Sequence, residues 1–170
     1  DLKKCINSVR QRTTYRHWEI VIIENNSELP QTFQYYEELE RDPRIRVVRW
    51  TREFNYSAIN NFGVLSTKGD YLLLLNNDVK VITPDWLEQM LMFAQRKDVG
   101  AVGSMLYYPD DTIQHAGVIV GLGAVAGHSH TGLRRGECGQ TYRLAFVVTR
   151  SAVTGDCSMR AEDLCTVLGG

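Results

Sequence analysis

Along the first hundred residues the apolar positions alternate between two rhythms, a three-to-four-residue spacing and short unbroken runs. Leu2, Cys5, Ile6 and Val9 follow the first rhythm behind Asp1, a residue able to cap, and predict a helix over residues 2–11. Residues 18–23 form a run rich in β-branched side chains that stops at Glu24, Asn25, Asn26 and Ser27, which is strand followed by turn chemistry. Phe33, Tyr36 and Leu39 recur in steps of three and predict a helix over 30–41, with a short strand over 45–50. Ile59, Phe62, Val64 and Leu65 place a further helix over 55–66, in which Gly63 lowers the intrinsic stability by about 1 kcal/mol relative to Ala. Residues 70–75 read as a strand covered on both faces, because Leu72, Leu73, Leu74 and Leu75 show no polar alternation.

Thr83, Pro84, Asp85 and Trp86 match a helix start, with Thr83 as the cap and Pro84 in the first turn. Residues 99–106 return to strand. Beyond Gly103, frequent glycines break the chain into short strands and loops, and a closing helix is expected over 158–168, stopped by Gly169 and Gly170. Strands that alternate with helices predict an α/β, three-layer α/β/α fold with a mostly parallel sheet. No internal repeat or low-complexity run is visible.

Length and composition agree with one domain that has a sizeable core: 170 residues, 44% hydrophobic and 23% charged. Nineteen basic against twenty acidic side chains leave a formal charge of −1, so no overall basic field marks the chain for nucleic acid. Cys5, Cys138, Cys157 and Cys165 include no C-x-x-C pair, and reduced, mostly buried thiols are the expectation, with a cytoplasmic setting. No apolar run approaches the roughly 20 residues of a spanning helix, which leaves peripheral association at the inner membrane face open.

Candidate chemistry gathers where strands end, the place where open α/β sheets bind ligands. Asp78 is the one carboxylate after the 70–75 strand, and Mg²⁺ or Mn²⁺ takes oxygen ligands from few carboxylates plus substrate phosphates. Asn76 and Asn77 can add amide oxygens or hydrogen-bond sugar hydroxyls without placing more negative charge beside a phosphate. The alternative is a polar turn that only caps the strand. Glu24 stands at a matching strand end, where it can accept a hydrogen bond from a base or a ribose hydroxyl.

With these residues in order, the chain resembles the family two glycosyltransferases of the glycosyltransferase A-type fold. The resemblance rests on residues 2–9, 19–27, 55–64 with Gly69, Asp70 and Tyr71, Asn76-Asn77-Asp78 in place of D-x-D, 83–91, and the tail 154–170. It implies an enzyme that moves a sugar from a nucleoside-diphosphate sugar to a hydroxyl of a glycan or lipid-linked acceptor, in polysaccharide or cell-surface glycan synthesis. It further implies nucleotide-sugar contacts at Glu24, Asn26, Asn61, Asp70, Asn76 and Asn77, and a divalent Mn²⁺ or Mg²⁺ held by Asp78. On the same resemblance, residues 1–105 are the nucleotide-sugar-binding part, 106–170 an incomplete acceptor-side part, and Gly127-His128 belongs near the acceptor.

Three departures from the family pattern shape the expectation. The family's opening strand would precede residue 1, its catalytic base would follow Gly170, and Asn76 replaces the first acid of D-x-D. The catalytic residue is therefore unknown, and a fragment inactive on its own is expected. Glu162 and Asp163 read as a solvated helix face rather than that base. His128, Ser129 and His130 with Cys138 lack a fourth ligand at zinc spacing, His115 reads as a satisfied histidine between strands, and Arg134-Arg135 as a solvated loop. Two other readings stand: a nucleotide-sugar-binding or scaffolding module without catalysis, and a sugar-phosphate nucleotidyltransferase.

Overall fold

A computed structural model describes residues 1–120, 126–128, 130–136 and 157–160. Among these described residues four helices and nine strands follow in the order α1 (Leu2–Arg12), β1 (Ile20–Glu24), α2 (Pro30–Leu39), β2 (Ile45–Arg49), α3 (Tyr56–Leu65), β3 (Tyr71–Leu74), α4 (Trp86–Ala94), β4 (Ala101–Gly103), β5 (Leu106–Tyr107), β6 (Ile113–His115), β7 (Val118–Val120), β8 (Ala126–His128) and β9 (Cys157–Arg160). The expected α/β alternation is present through α4. Two compact units divide the chain: Asp1–Thr14 with Leu73–Arg160, and Tyr15–Leu72 with Ala161–Gly170, the last ten residues lying outside the described set.

The second unit is built on a parallel pair. β1 and β2 run in register from Ile20 opposite Ile45 to Glu24 opposite Arg49, and α2 supplies the crossover that a parallel pair requires. Its apolar stripe explains its seat, since Tyr36 and Leu39 are buried while its outer positions face water. Helix α3 begins at Asn55, whose side chain accepts from the Ala58 amide at 3.0 Å and so satisfies one of the helix's unpaired donors. Gly63 explains its own presence: a Cβ there would meet Ile23 Cδ1 and lie 3.2 Å from Ile23 Cγ1, so glycine lets α3 approach β1 closely.

In the first unit Met90, Ala94, Val99 and Val102 form a core, with Leu73, Trp86 and Phe93 packed against it. Helix α1 buries Cys5, Ile6, Ser8 and Val9 on one face, as its spacing predicts. Strand order β3-β9-β4 brings a distant segment between two earlier strands, with Ala101 opposite Met159 in an antiparallel pair of β9 and β4. The short antiparallel pairs β5-β6 and β7-β8 complete the glycine-rich half.

Several expectations are corrected. Residues 158–160, expected to open a helix, lie in β9, because pairing with β4 outweighs local helix preference; the rest of that expected helix, with Glu162, Asp163 and the final glycines, lies outside the described residues. The 70–75 strand is fully buried only at Leu72, and Leu73, Leu74 and Leu75 are half-buried. Thr83 and Pro84 form a turn ahead of α4, whose N-cap is Asp85 without a side-chain cap bond. Asp1 likewise caps α1 through its backbone carbonyl, not its carboxylate. The α/β fold itself stands, with β1 and β2 as a parallel pair, and among the described residues the strands fall into four small sheets.

Candidate functional site

Glu24 closes β1 and is only 3% exposed. The chain turns immediately after it through Asn26, whose φ of 56° lies in the left-handed region that Asn tolerates better than most residues. This turn brings Ser27 back onto the carboxylate: the Ser27 amide donates to Oε1 at 2.7 Å and its hydroxyl to Oε2 at 2.6 Å, while Tyr36 on α2 donates to Oε2 at 2.9 Å. Burial by itself would raise the carboxyl pKa; the Ser27 and Tyr36 hydrogen bonds and the charge of Arg49 outweigh it and hold Glu24 below its ordinary 4.5. Burial lifts the Tyr36 phenol above its ordinary 10.0, with Glu24 adding to the rise. Three of roughly four acceptor positions on the carboxylate are thus taken by the protein, leaving about one for a ligand.

Asn61, on α3, lines an open cavity of about 470 Å³ with Arg49, Trp50, Thr51, Arg52, Ala58, Phe62 and Leu65. Trp50 and Phe62 meet at 5.5 Å between ring centres, and the Arg52 guanidinium lies 5.6 Å from the Trp50 ring. Trp50 is fixed further by its indole N–H, which donates to the Glu53 carbonyl at 3.0 Å. An apolar wall beside two permanent cations suits a flat ring that carries anionic groups. Glu24 borders a second cavity of about 240 Å³ with Phe33, Tyr36, Glu37, Glu40, Val47 and Arg49, so Arg49 faces both. Neither cavity is bordered by Asn26 or by Asp70, which is exposed just ahead of β3.

Asn76, Asn77 and Asp78 belong to the other unit, where all three are exposed in the loop that leaves β3. One carboxylate with two carboxamides suits a hard divalent cation that takes its remaining ligands from phosphate and water, and does not suit a closed protein cage. Among the described residues no group of three His, Cys, Asp or Glu side chains could hold a metal ion.

His115 and His128 approach Nδ1 to Nδ1 at 2.8 Å with their rings edge to face, so His115 is satisfied between strands as expected. Burial, then the charge of His128, holds its pKa below 6.5. Arg135 pairs with Asp111 at 3.3 Å and lies over the Tyr107 ring. Cys138, like Ser129, lies outside the described residues. The sequence reading missed Asn25, whose side-chain nitrogen is buried with no partner among the described residues, and it left Arg49 and Phe62 unassigned. The Glu-Asn-Asn-Ser turn was a signal for Asn25; nothing local could mark Arg49, because its place depends on strand register.

The sequence profile described as Glycosyl transferase family 2 matches residues 1–133. The chain is 42% identical over 170 residues to the uncharacterized protein y4gI of Sinorhizobium fredii (strain NBRC 101917 / NGR234), covering 99% of this chain and 19% of that protein. It is 38% identical over 170 residues to the O-antigen biosynthesis protein RfbC of Myxococcus xanthus, covering 99% and 13%. The chain therefore spans less than a fifth of the length of either curated relative. In fold it is similar to the mannosyltransferase PcManGT from Pyrobaculum calidifontis, solved in complex with GDP-Man and Mn²⁺, with a TM-score of 0.55 and 18% identity over 65% of this chain and 32% of that one.

Proposed function

Because this chain belongs to glycosyl transferase family 2, we propose that it is the donor-binding part of an enzyme that transfers a sugar from a nucleoside-diphosphate sugar to a hydroxyl acceptor. The observation that carries this reading is the cavity in which Asn61 meets Arg49, Arg52 and the Trp50-Phe62 wall. Its two aromatic faces suit a base or ribose, and its guanidinium groups suit phosphate oxygens. Donor binding is assigned to residues 1–105 and acceptor contacts to 106–170. A glycan or lipid-linked acceptor fits the name of the relative active in O-antigen biosynthesis. No helix among the described residues is long and apolar enough to cross a membrane; peripheral association with the inner membrane face remains part of the proposal.

Glu24, Asn26, Asn61, Asp70, Asn76 and Asn77 are assigned to the nucleotide-sugar, and Asp78 to a divalent Mn²⁺ or Mg²⁺. Bound there, the cation would neutralise charge that develops on the departing nucleoside diphosphate. The chain's own work is positional. Glu24 is held ionised and immobile by Ser27 and Tyr36, with about one lone pair left to orient a donor hydroxyl. Arg49 and Arg52 hold phosphate oxygens, and Asn76 and Asn77 orient sugar hydroxyls without repelling the phosphates. Among the described residues we assign none to deprotonation of the acceptor.

Asn76 in place of an acid favours a second reading, a module that binds the nucleotide-sugar without turnover. A calorimetric series, with release of nucleoside diphosphate assayed alongside it, separates the two. The full-length protein is titrated with UDP-, GDP- and dTDP-sugars, with and without Mn²⁺, alongside Asn61→Ala and Asp78→Ala. One base class should bind, each substitution should weaken it about tenfold or more, and the effect of Asp78→Ala should vanish without Mn²⁺. Binding without release of nucleoside diphosphate would select the second reading. Unchanged affinity in both variants would end the first.

A further inference from the structure

The loop that presents Asp78 is gripped by a single face of α1. At its start, the Cys5 thiol faces the Asn76 carbonyl at 3.6 Å. At its end, the Val81 amide donates to Ser8 Oγ at 3.1 Å, and Arg12 Nη1 donates to the Val81 carbonyl at 3.2 Å. Positions 5, 8 and 12 share one side of a helix, since they are spaced by three and four residues. Ser8 is 6% and Val81 8% exposed, and the Ser8 hydroxyl spends its proton on the Cys5 carbonyl at 2.8 Å, which turns its lone pairs toward the loop. The attachment continues beyond the helix: Thr14 donates its amide to the Pro84 carbonyl at 2.9 Å and its hydroxyl to Glu88 at 2.7 Å, and the Trp86 indole donates to Thr13 Oγ1 at 2.9 Å. Residues 77–80 are the stretch between the two grips, with Asp78 exposed in the turn at its middle.

We infer that Ser8 and Arg12, with Cys5, are positioning residues that clamp the 76–81 loop and set the place of the Asp78 carboxylate. This rests on the reading of Asp78 as the metal ligand. A lone carboxylate has few partners to fix it, so its loop must be held from elsewhere if it is to meet a cation without a large ordering cost. The apolar side of α1 fixes the helix in its unit, and its three polar contacts carry that rigidity to the loop.

Mn²⁺ binding in the presence of nucleoside diphosphate, read from the electron paramagnetic resonance of free Mn²⁺ with the full-length protein, tests the clamp. Ser8→Ala orphans the buried Val81 amide and should weaken Mn²⁺ binding about tenfold. Arg12→Met, at an exposed position where folding is not at risk, should weaken it by a smaller factor, and Ser8→Thr should restore the hydroxyl's effect. Ile6→Val, which loosens the packing of α1 and leaves the three contacts intact, should bind Mn²⁺ as the parent does. Parental affinity in both Ser8→Ala and Arg12→Met, with binding lost in Asp78→Ala, would overturn the clamp. If Asp78→Ala itself binds as the parent does, the metal reading has failed, and amide hydrogen exchange in Ser8→Ala then decides the clamp alone. Exchange accelerated about tenfold or more over residues 77–81 supports it, and unchanged exchange there refutes it.

Discussion

Glu24 shows how much chemistry one residue can conceal. A strand-end carboxylate invites a ligand role, yet Ser27 and Tyr36 already engage both of its oxygens. Its depressed pKa makes a testable statement about stability. Unfolded, the group titrates near 4.5; folded, it titrates lower, so the stability it contributes is present above 4.5 and is lost as pH falls through the folded value. The urea midpoint should therefore fall more steeply between about pH 5 and 3 in the parent than in Glu24→Gln, which should also be less stable at pH 7 because an amide cannot accept from all three donors. At Gly63 the prediction concerns space. Gly63→Ala should destabilise by about 1–2 kcal/mol despite the better helix propensity of Ala, because the new methyl meets Ile23. Adding Ile23→Val removes the Cδ1 atom it meets and should recover part of the loss in thermal unfolding. A stabilised single variant would refute the close-approach argument.

At the scale of elements, the edges are as informative as the pairings. Among the described residues β2 has a neighbour on one side in its sheet, and the Val47 amide donates to Glu40 at 2.9 Å, so a side chain that follows α2 occupies a donor that could otherwise recruit another strand. In the glycine-rich half, the contact between His115 on β6 and His128 on β8 links the β5-β6 and β7-β8 strand pairs. Two imidazole nitrogens at 2.8 Å share one proton, and a proton added to the accepting nitrogen removes the acceptor and sets two N–H donors against each other. With the His115 pKa below 6.5, the contact's contribution is present above 6.5 and declines as pH falls below it. Amide exchange in the β7-β8 pair, corrected for intrinsic rates, should rise between pH 7 and 5. His128→Phe, which keeps the ring packing, should remove most of that rise. An equal rise in the variant would locate the sensitivity elsewhere.

Over the whole molecule, the chain resolves into two units that do not follow its linear order, since Asp1–Thr14 joins Leu73–Arg160. Short windows of the chain carry the local grammar. The helices and strands from Leu2 to Ala94 are legible because periodicity, turn residues and the Asn55 cap act over a few residues. The exposed strand-end residues Asn76, Asn77 and Asp78 are legible for the same reason. Contacts between distant parts of the chain are legible only in the folded molecule: Ser8 against Val81, Arg49 beside Asn61, and β9 between β3 and β4. Such contacts form only after long loops close, and the closing is selected by packing and by the need to pair every buried donor. No short window of sequence records that selection, so a residue such as Ser8 reads as a helix face by itself and as a loop clamp only in the fold.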